Sequence, residues 1–464
     1  MKPAEVPRFP AVTRQLAALA AGDFPAGRMA SARTAARRHL LDTLGAIVAG
    51  TQAAPTRIVI ATLVDVGIAT ATTVRIPGDP DHRWDALNAA YVMGTAAHGL
   101  ELDDGYTGGS VHPGAPVVPA LLAALQMRPA RSHHLLFAMA VGYEFVARLA
   151  SGIHPQSRRR GFHNTALVGP LAAAAAVGTL FGFDAQTIES AIGLAASSAG
   201  GLFAFLNGGG DVKRLHPGHA AREGLLATLL AERGLRGPDG VIEGPDGFVQ
   251  AFGDTAVSSL LVATEPARPA AITRCYMKPW ACCRHIHPAI DAVLSMRAEG
   301  LVASDVATID VSTYAIAASH GQVGWVDTLS AQMSYPFAVS LALVRGHADL
   351  ADFTGDAGED PQVTDLCGQI TVGVDDAFDA RYPRTREARV RVTLRDGRVL
   401  ERTVDDGLGS AMQPLDESAL AAKFDGLVRP VLGDDAAVAL RRAVQDLEDR
   451  DDASAFLREL ARDA

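Results

Sequence analysis

TALVGPLAAAAAVGTLFGF, residues 165–183, is the stretch on which the fold turns. It carries no charge over a length that could cross a bilayer, yet it is mostly Ala and Gly and contains Pro170. A membrane span needs ~20 strongly apolar residues, and Ala and Gly gain little from transfer into lipid. The stretch is read instead as a helix packed inside a protein, where small side chains let neighbouring helix backbones come close. The same texture extends outward through residues 195–201 and Ala220-Ala221.

Upstream, Leu40, Leu41, Leu44, Ile47 and Val48 follow helical spacing, with Arg37, Arg38 and Asp42 off that stripe. Residues 116–127 and 218–233 read as further apolar helices. Ser132 is placed to cap another that runs through Leu135, Leu136, Ala140, Tyr143 and Val146. No fixed repeat period is present, so a solenoid is not expected.

The texture changes near residue 270. Ile309, Val311 and Thr313 alternate with polar residues, as do Ile370, Val372 and Val374, and then Val390, Val392 and Leu394. Asp396-Gly397 followed by Val399 is a hairpin signal, because that pair accepts the positive φ of a tight turn. A helix over 335–344 interrupts these strands, and helices return at 420–427, 436–447 and 453–460. The expected fold is mainly α: a large all-helical domain over 1–271, a smaller α+β lid domain over 272–405, and a helical tail over 406–464. The tail should rejoin the first domain, since a short helical extension buries little alone.

The chain has 464 residues with 42 Lys+Arg against 52 Asp+Glu, a formal charge of −10 that argues against a general nucleic-acid binder. Four Cys are too few for a disulfide scaffold and suit a reducing cytoplasm. Residues 1–13 lack the basic–apolar–small order of a signal peptide, so a cytoplasmic protein is expected.

Four segments carry chemistry. HGLELDDGYTGGSVHPGAPVVPA (98–120) places Glu101, Asp103, Asp104, Thr107, Ser110 and His112 on one tight loop before a helix. Such a set suits acid–base work, or serves as a polar connection with capping acids. RRRGFHNTALVGP (158–170) sets His163 at the start of the small-residue helix, with Asn164 or Thr165 as caps. There an imidazole is biased toward its neutral form. NGGGDVKRLHPGHAA (207–221) is not a P-loop, but its Lys213 and Arg214 can wrap a carboxylate or phosphate. RCYMKPWACCRHIHPAIDA (274–292) holds Cys275, Lys278, Cys282, Cys283, Arg284, His285 and His287. Its Cys spacing is poor for structural zinc, though His285, His287 and a distant acid leave a mononuclear site open. A Cys among Lys, Arg and His is also a candidate nucleophile. In an acidic protein, this gathering of Lys213, Arg214, Lys278, Arg284 and several His points to a polyanionic small molecule.

These four segments, in this order, resemble the MmgE/PrpD family. The resemblance runs from HLLDTLGAIVAG (39–50) through SYPFAVSLALVRG (334–346) to LAAKFDGLV (420–428). It implies a helical domain with an α+β lid, a homodimer, and an active site between the domains without metal or organic cofactor. It implies catalytic roles for Asp103, Asp104, His112, His163, Lys213 and Lys278. Substrate contacts would come from Glu101, Thr107, Arg214, Cys283, Arg284, His287 and Tyr335. The implied chemistry is proton transfer beside a carboxylate of a di- or tricarboxylate. Dehydration of a 2-methylcitrate-like substrate is the leading expectation, with cis-aconitate decarboxylation or iminodisuccinate epimerisation as alternatives. Decarboxylase members resemble Asp-Phe-Asp-Asp-Thr where this chain reads Glu101-Leu102-Asp103-Asp104-Gly105. Two other classes stay open from the residues alone: a metal-dependent hydrolase using His285 and His287, and a non-catalytic binding protein. No nucleic acid or membrane partner is expected.

Overall fold

The computed structural model describes residues 11–67, 74–208, 210–253, 268–454 and 457. Gly209 and most of the helix expected over 453–460 lie outside the described residues. The architecture is mainly α with a smaller α+β part. The helical body is built from α1 (Met29–Gly50), α2 (Ala86–Ala97), α3 (Gly114–Met127), α4 (Ser132–Ile153), α5 (Asn164–Leu180), α6 (Ala185–Ala196) and α7 (Val212–Glu232).

Helix α5 is the hub. Every one of its residues is buried, and α3, α4, α6 and α7 pack around it. The small residues are there because the backbones nearly touch: a Cβ on Gly224 of α7 would lie 2.4 Å from the Cβ of Ala173. A helix that is apolar all round has no face to give to water and must be enclosed. Helix α4 is long and apolar enough to cross a membrane, but its apolar window is 89% buried against neighbouring helices, as a core helix is. Ser132 does not cap it. Arg131 takes the N-cap position, and the Ser132 hydroxyl lies buried in the first turn without a partner.

Asp42, off the apolar stripe of α1, is nonetheless buried. It accepts a 2.6 Å bond from Lys423 of α11 (Glu417–Leu432), which packs on α1. With α12 (Asp434–Gln445), this returns the C-terminal helices to the helical core. Residues 270–277 also pack in that core, so the changeover falls a few residues after 272. The helical body carries one strand pair that its polar sequence concealed, β1 (Val74–Ile76) with β2 (Asp79–Trp84). Gly78 turns it at φ +90°, and a Cβ there would meet the Thr51 hydroxyl at 2.6 Å.

The α+β part packs α8 (His287–Ala298), α9 (Thr328–Met333) and α10 (Tyr335–Arg345) with a four-stranded sheet. Its strands are β3 (Val306–Thr313), β4 (Ile370–Val374), β5 (Ala388–Leu394) and β6 (Val399–Val404), in the order β4-β3-β5-β6. β3 and β4 are parallel, with Val311 beside Val372, and the other pairs are antiparallel. The buried members of β5, namely Ala388, Val390, Val392 and Leu394, face the helices, which is the alternation read from sequence. In the β5–β6 turn only Gly397 takes positive φ, while the Asp396 carboxylate accepts from the Arg398 N–H.

Candidate functional site

The loop from α2 to α3 is held in an uncommon backbone state. Glu101 and Ser110 both take positive φ, +57° and +45°. For residues with a Cβ this costs roughly 1–2 kcal/mol each, and such strain clusters at functional sites. It places the Glu101 carboxylate between two buried ammonium groups. Lys213 Nζ donates to Oε1 and Lys278 Nζ donates to Oε2 at 3.2 Å. Burial alone would raise the Glu101 pKa, but Lys213 and Lys278 outweigh it and hold the carboxyl well below the usual range. Burial lowers the Lys213 pKa. At Lys278 the opposite wins, because Glu101 and Asp103 together overcome burial.

Gly105 locks the connection to Lys278. It exchanges backbone hydrogen bonds with Tyr276 at 3.0 and 2.8 Å, and a Cβ on it would lie 2.2 Å from the Tyr276 ring. A Thr in the fifth position of this acidic turn therefore has no room here, because the Tyr276 ring fills its place.

Imidazoles form the helical wall. Asp103 Oδ2 sits 2.7 Å from His98 Nδ1 and 3.1 Å from His112 Nδ1, so one carboxylate braces two rings. The His98 ring lies edge-on to His112 at 4.7 Å and stacks on His163 at 5.8 Å. His163 occupies the N-cap position of α5, and its Nδ1 is 2.9 Å from Nδ1 of His216, so one ring must donate to the other. Burial, then the neighbouring His98 and His216, keeps His163 well below its ordinary pKa. Burial also pushes His98 and His216 down to about 4, although Asp103 pulls His98 the other way. These rings are neutral at pH 7. Burial would raise the Asp103 carboxyl, but His112, His98 and Lys278 hold it well below the usual range.

The α+β part supplies the facing wall: Cys283, Arg284, His285, His320, Met333 and Arg386. Both walls line one cavity that admits the centre of a water molecule over about 50 Å³. Lys213, Lys278, Arg284 and Arg386 reach it against the single lining carboxylate of Glu101. That balance favours a ligand with several carboxylates, each able to accept from a buried cation.

Of the residues expected from sequence, Glu101, His112, His163, Lys213, Lys278, Cys283 and Arg284 line this cavity. Asp103 stands directly behind His112. Asp104 faces away: its Oδ2 accepts from Tyr143 Oη at 2.6 Å and lies 2.6 Å from His39 Nδ1, and its Oδ1 accepts from the Gly114 N–H that starts α3. Thr107, Arg214, His287 and Tyr335 are not on the wall. Arg214 pairs with Asp211, because consecutive helical residues point about 100° apart and Lys213 takes the inward direction. Lys213 is thus in the first turn of a helix, and both lysines are buried rather than carried on open turns.

His285 and His287 do not converge on one ion. His285 Nδ1 meets the Tyr314 hydroxyl, while His287 contacts Arg284 at 3.1 Å and the Cys282 carbonyl at 3.3 Å. Among the described residues, two sets near the cavity have donor atoms within 4.8 Å of one another: His98–Asp103–His112 and Cys283–His285–His320. The surrounding lysines and arginines disfavour a cation in either, and we assign a metal to neither. Asn164 and Thr165 do not cap α5. Asn164 donates to the Gly109 carbonyl at 2.7 Å, and Thr165 accepts from the His112 N–H at 3.2 Å, so both tie the His112 loop to the helix.

Sequence reasoning passed over Tyr276, Phe203, Phe205, His320 and Arg386, which line the cavity, and the bracing role of His98. His98 and Tyr276 lie inside segments singled out for chemistry, and Phe203 and Phe205 come just before one. His320 and Arg386 sit in stretches without a motif, and only the tertiary fold brings them in.

Two family models match this chain. The MmgE/PrpD N-terminal domain matches residues 14–259 and the MmgE/PrpD C-terminal domain matches residues 280–449. The chain belongs to the MmgE/PrpD family. Among its curated relatives is a cis-aconitate decarboxylase of Aspergillus terreus, 27% identical over 80% of this chain and 79% of that protein. The cis-aconitate decarboxylase of Homo sapiens is 27% identical over 90% of this chain and 88% of its own length, and that of Mus musculus is 27% identical over 83% and 81%.

Proposed function

We propose that this MmgE/PrpD chain is a lyase that removes carbon dioxide from an unsaturated tricarboxylate of the cis-aconitate type. The observation that carries the reading is the pair of buried lysines, Lys213 and Lys278, sharing Glu101 on the wall of a cavity otherwise lined by imidazoles and arginines. The relatives' activity moves decarboxylation ahead of the 2-methylcitrate dehydration that the sequence favoured.

Lys213, Lys278 and Arg284 hold the substrate carboxylates, displacing Glu101 from part of its pairing. When the carbon–carboxylate bond breaks, its electron pair stays on carbon and spreads into the neighbouring unsaturated carboxylate. Fixed cations stabilise that charge without reorganising, and such preorganised electrostatic stabilisation is usually the largest source of rate enhancement in sites of this kind. A proton then forms the new C–H bond. His112 is placed to deliver it, because the Asp104 carbonyl at 2.8 Å and the Asp103 carboxylate at 3.1 Å hold its Nδ1 and aim the ring. His163, buried and neutral, polarises or accepts.

The test is proton NMR of the purified protein in deuterated water with cis-aconitate, 2-methylcitrate, citrate and iminodisuccinate. Decarboxylation of cis-aconitate with one solvent deuteron in the product is expected. Turnover of 2-methylcitrate alone would return the assignment to a dehydratase, and turnover of none would overturn the polycarboxylate reading.

A further inference from the structure

Cys283 and His320 are not used by the proton transfer described above, yet they face the same cavity from the opposite wall. The Cys283 sulfur lies 3.9 Å from His320 Nε2. His320 is in turn oriented by its other nitrogen, since Nδ1 is 2.9 Å from the Met333 carbonyl and donates to it. That fixes the tautomer and leaves Nε2 to take the thiol proton. The sulfur is held from behind as well. The Cys283 N–H donates to the Gln332 carbonyl at 2.9 Å, and the Gln332 side chain is pinned by the carbonyls of Leu100 and Ala281. A nucleophile, a base within reach and a third group that aims the base make up the arrangement of an activated thiol.

We propose that Cys283 and His320 form a nucleophilic pair that captures anionic electrophiles, specifically α,β-unsaturated polycarboxylates, inside the cavity. The ligand class rests on the polycarboxylate reading above, and the nucleophile does not. In the step, the sulfur electron pair forms a bond to the β-carbon. The π pair of the double bond takes the His320 proton at the α-carbon. A thioether and a neutral imidazole result, with no oxidant or reductant required. The lysines and arginines that would hold the substrate stabilise the enolate formed on the way.

The surroundings agree with this chemistry. Burial alone would push the Cys283 thiol up, but His320 and then Lys213 bring it down to about 6. Cys275, Cys282 and Cys367 are buried with raised thiol pKa values, so Cys283 is set apart from the other cysteines of the chain. Phe203 lines both this cavity and a wider outer cleft shared by Arg158, Leu202, Val323 and Asp327, and the Arg158 guanidinium lies 3.7 Å above its ring.

The test is mass spectrometry of the native full chain at pH 7 after exposure to iodoacetamide, iodoacetate or maleate, with glutathione as the free-thiol reference. One alkylation per chain at Cys283 is expected, at least tenfold faster than glutathione with iodoacetamide. Iodoacetate should be favoured over iodoacetamide at least fivefold more than it is by glutathione, and maleate should leave a single adduct on the same residue. His320→Asn should slow labelling tenfold or more, and Cys283→Ser should abolish it. A Cys283 no faster than glutathione with the neutral reagent would overturn the nucleophile and leave the cavity reading standing. A fast thiol without preference for iodoacetate, or without a maleate adduct, would overturn the anionic ligand class and the cavity reading with it.

Discussion

Replacing Glu101 with Gln removes the one carboxylate that serves both buried lysines. Asp103, 3.7 Å from Lys278, partly compensates that side, but Lys213 is left with no acid among its ion pairs. Breaking a buried pair by removing one partner costs about 3–5 kcal/mol. For a chain of 464 residues, an unfolding entropy of about 2.1 cal/mol/K per residue makes this a fall in Tm of about 3–5 °C. The pH dependence has a definite sign. Glu101 is more acidic folded than unfolded, so its contribution is complete above its ordinary value of 4.5 and is lost as pH falls toward the depressed one. The gap between parent and variant should hold at neutral pH and close in acid. Citrate supplies the missing charge, so it should raise the Tm of Glu101→Gln more than that of the parent. At one fixed citrate concentration a protein at 100 times its Kd gains about 2.7 kcal/mol and one at 1,000 times its Kd about 4.1. Thermal denaturation from neutral to acidic pH, with and without citrate, measures all of this. Equal stability at neutral pH, or citrate acting equally on both proteins, would show that Glu101 does not stand in for a substrate carboxylate.

Other perturbations test the remaining parts. Lys213→Ala and Lys278→Ala should each lower kcat/KM by a factor equivalent to about 2–4 kcal/mol, the scale for losing one charged donor in a desolvated site, with intact secondary structure by circular dichroism. His112→Gln should block product formation, because nothing then delivers the proton of the new C–H bond, and His163→Gln should lower it as well; NMR in deuterated water reads the product and its solvent deuteron together. Gly105→Ala should cost about 1–3 kcal/mol of stability by denaturant titration, because its Cβ collides with the Tyr276 ring, and Tyr276→Leu in the same chain should recover part of the loss.

What the sequence made legible follows from how local each signal was. The helix α5 could be read because its run of Ala and Gly residues leaves nothing else for it to do than let other helices approach. The β5–β6 hairpin could be read because alternation and Asp396-Gly397 lie within a few residues of one another. The lysines were legible as charges in a Gly- and Pro-bounded setting, but their burial was not, since it depends on Glu101 arriving from the other end of α2. Asp103 and Asp104 show the limit most plainly. They are adjacent and chemically identical, and both sat in the segment marked for catalysis. Asp103 lies in a bend, where the two side chains part company, so one braces His112 at the cavity while the other secures Tyr143, His39 and the start of α3.

The same reasoning explains why the facing wall stayed hidden. His320 precedes Met333 by thirteen residues and follows Cys283 by thirty-seven, distances at which no helical or strand period links them. Arg386 lies in a polar stretch that reads as a loop, and it is buried only because the rings of Tyr276, Tyr314 and Tyr382 enclose its charge. A cation so enclosed holds its proton, since those phenols more than offset the cost of burial. It therefore remains a fixed positive charge beside His285, whose own protonation is suppressed by burial first and by Arg386 next. The two walls thus divide the electrostatic work. The helical wall presents the neutral rings of His98, His163 and His216 beside Lys213, and the α+β wall adds the permanent charge of Arg284 and Arg386. A cavity built in that way can hold a polyanion while protons move beside it.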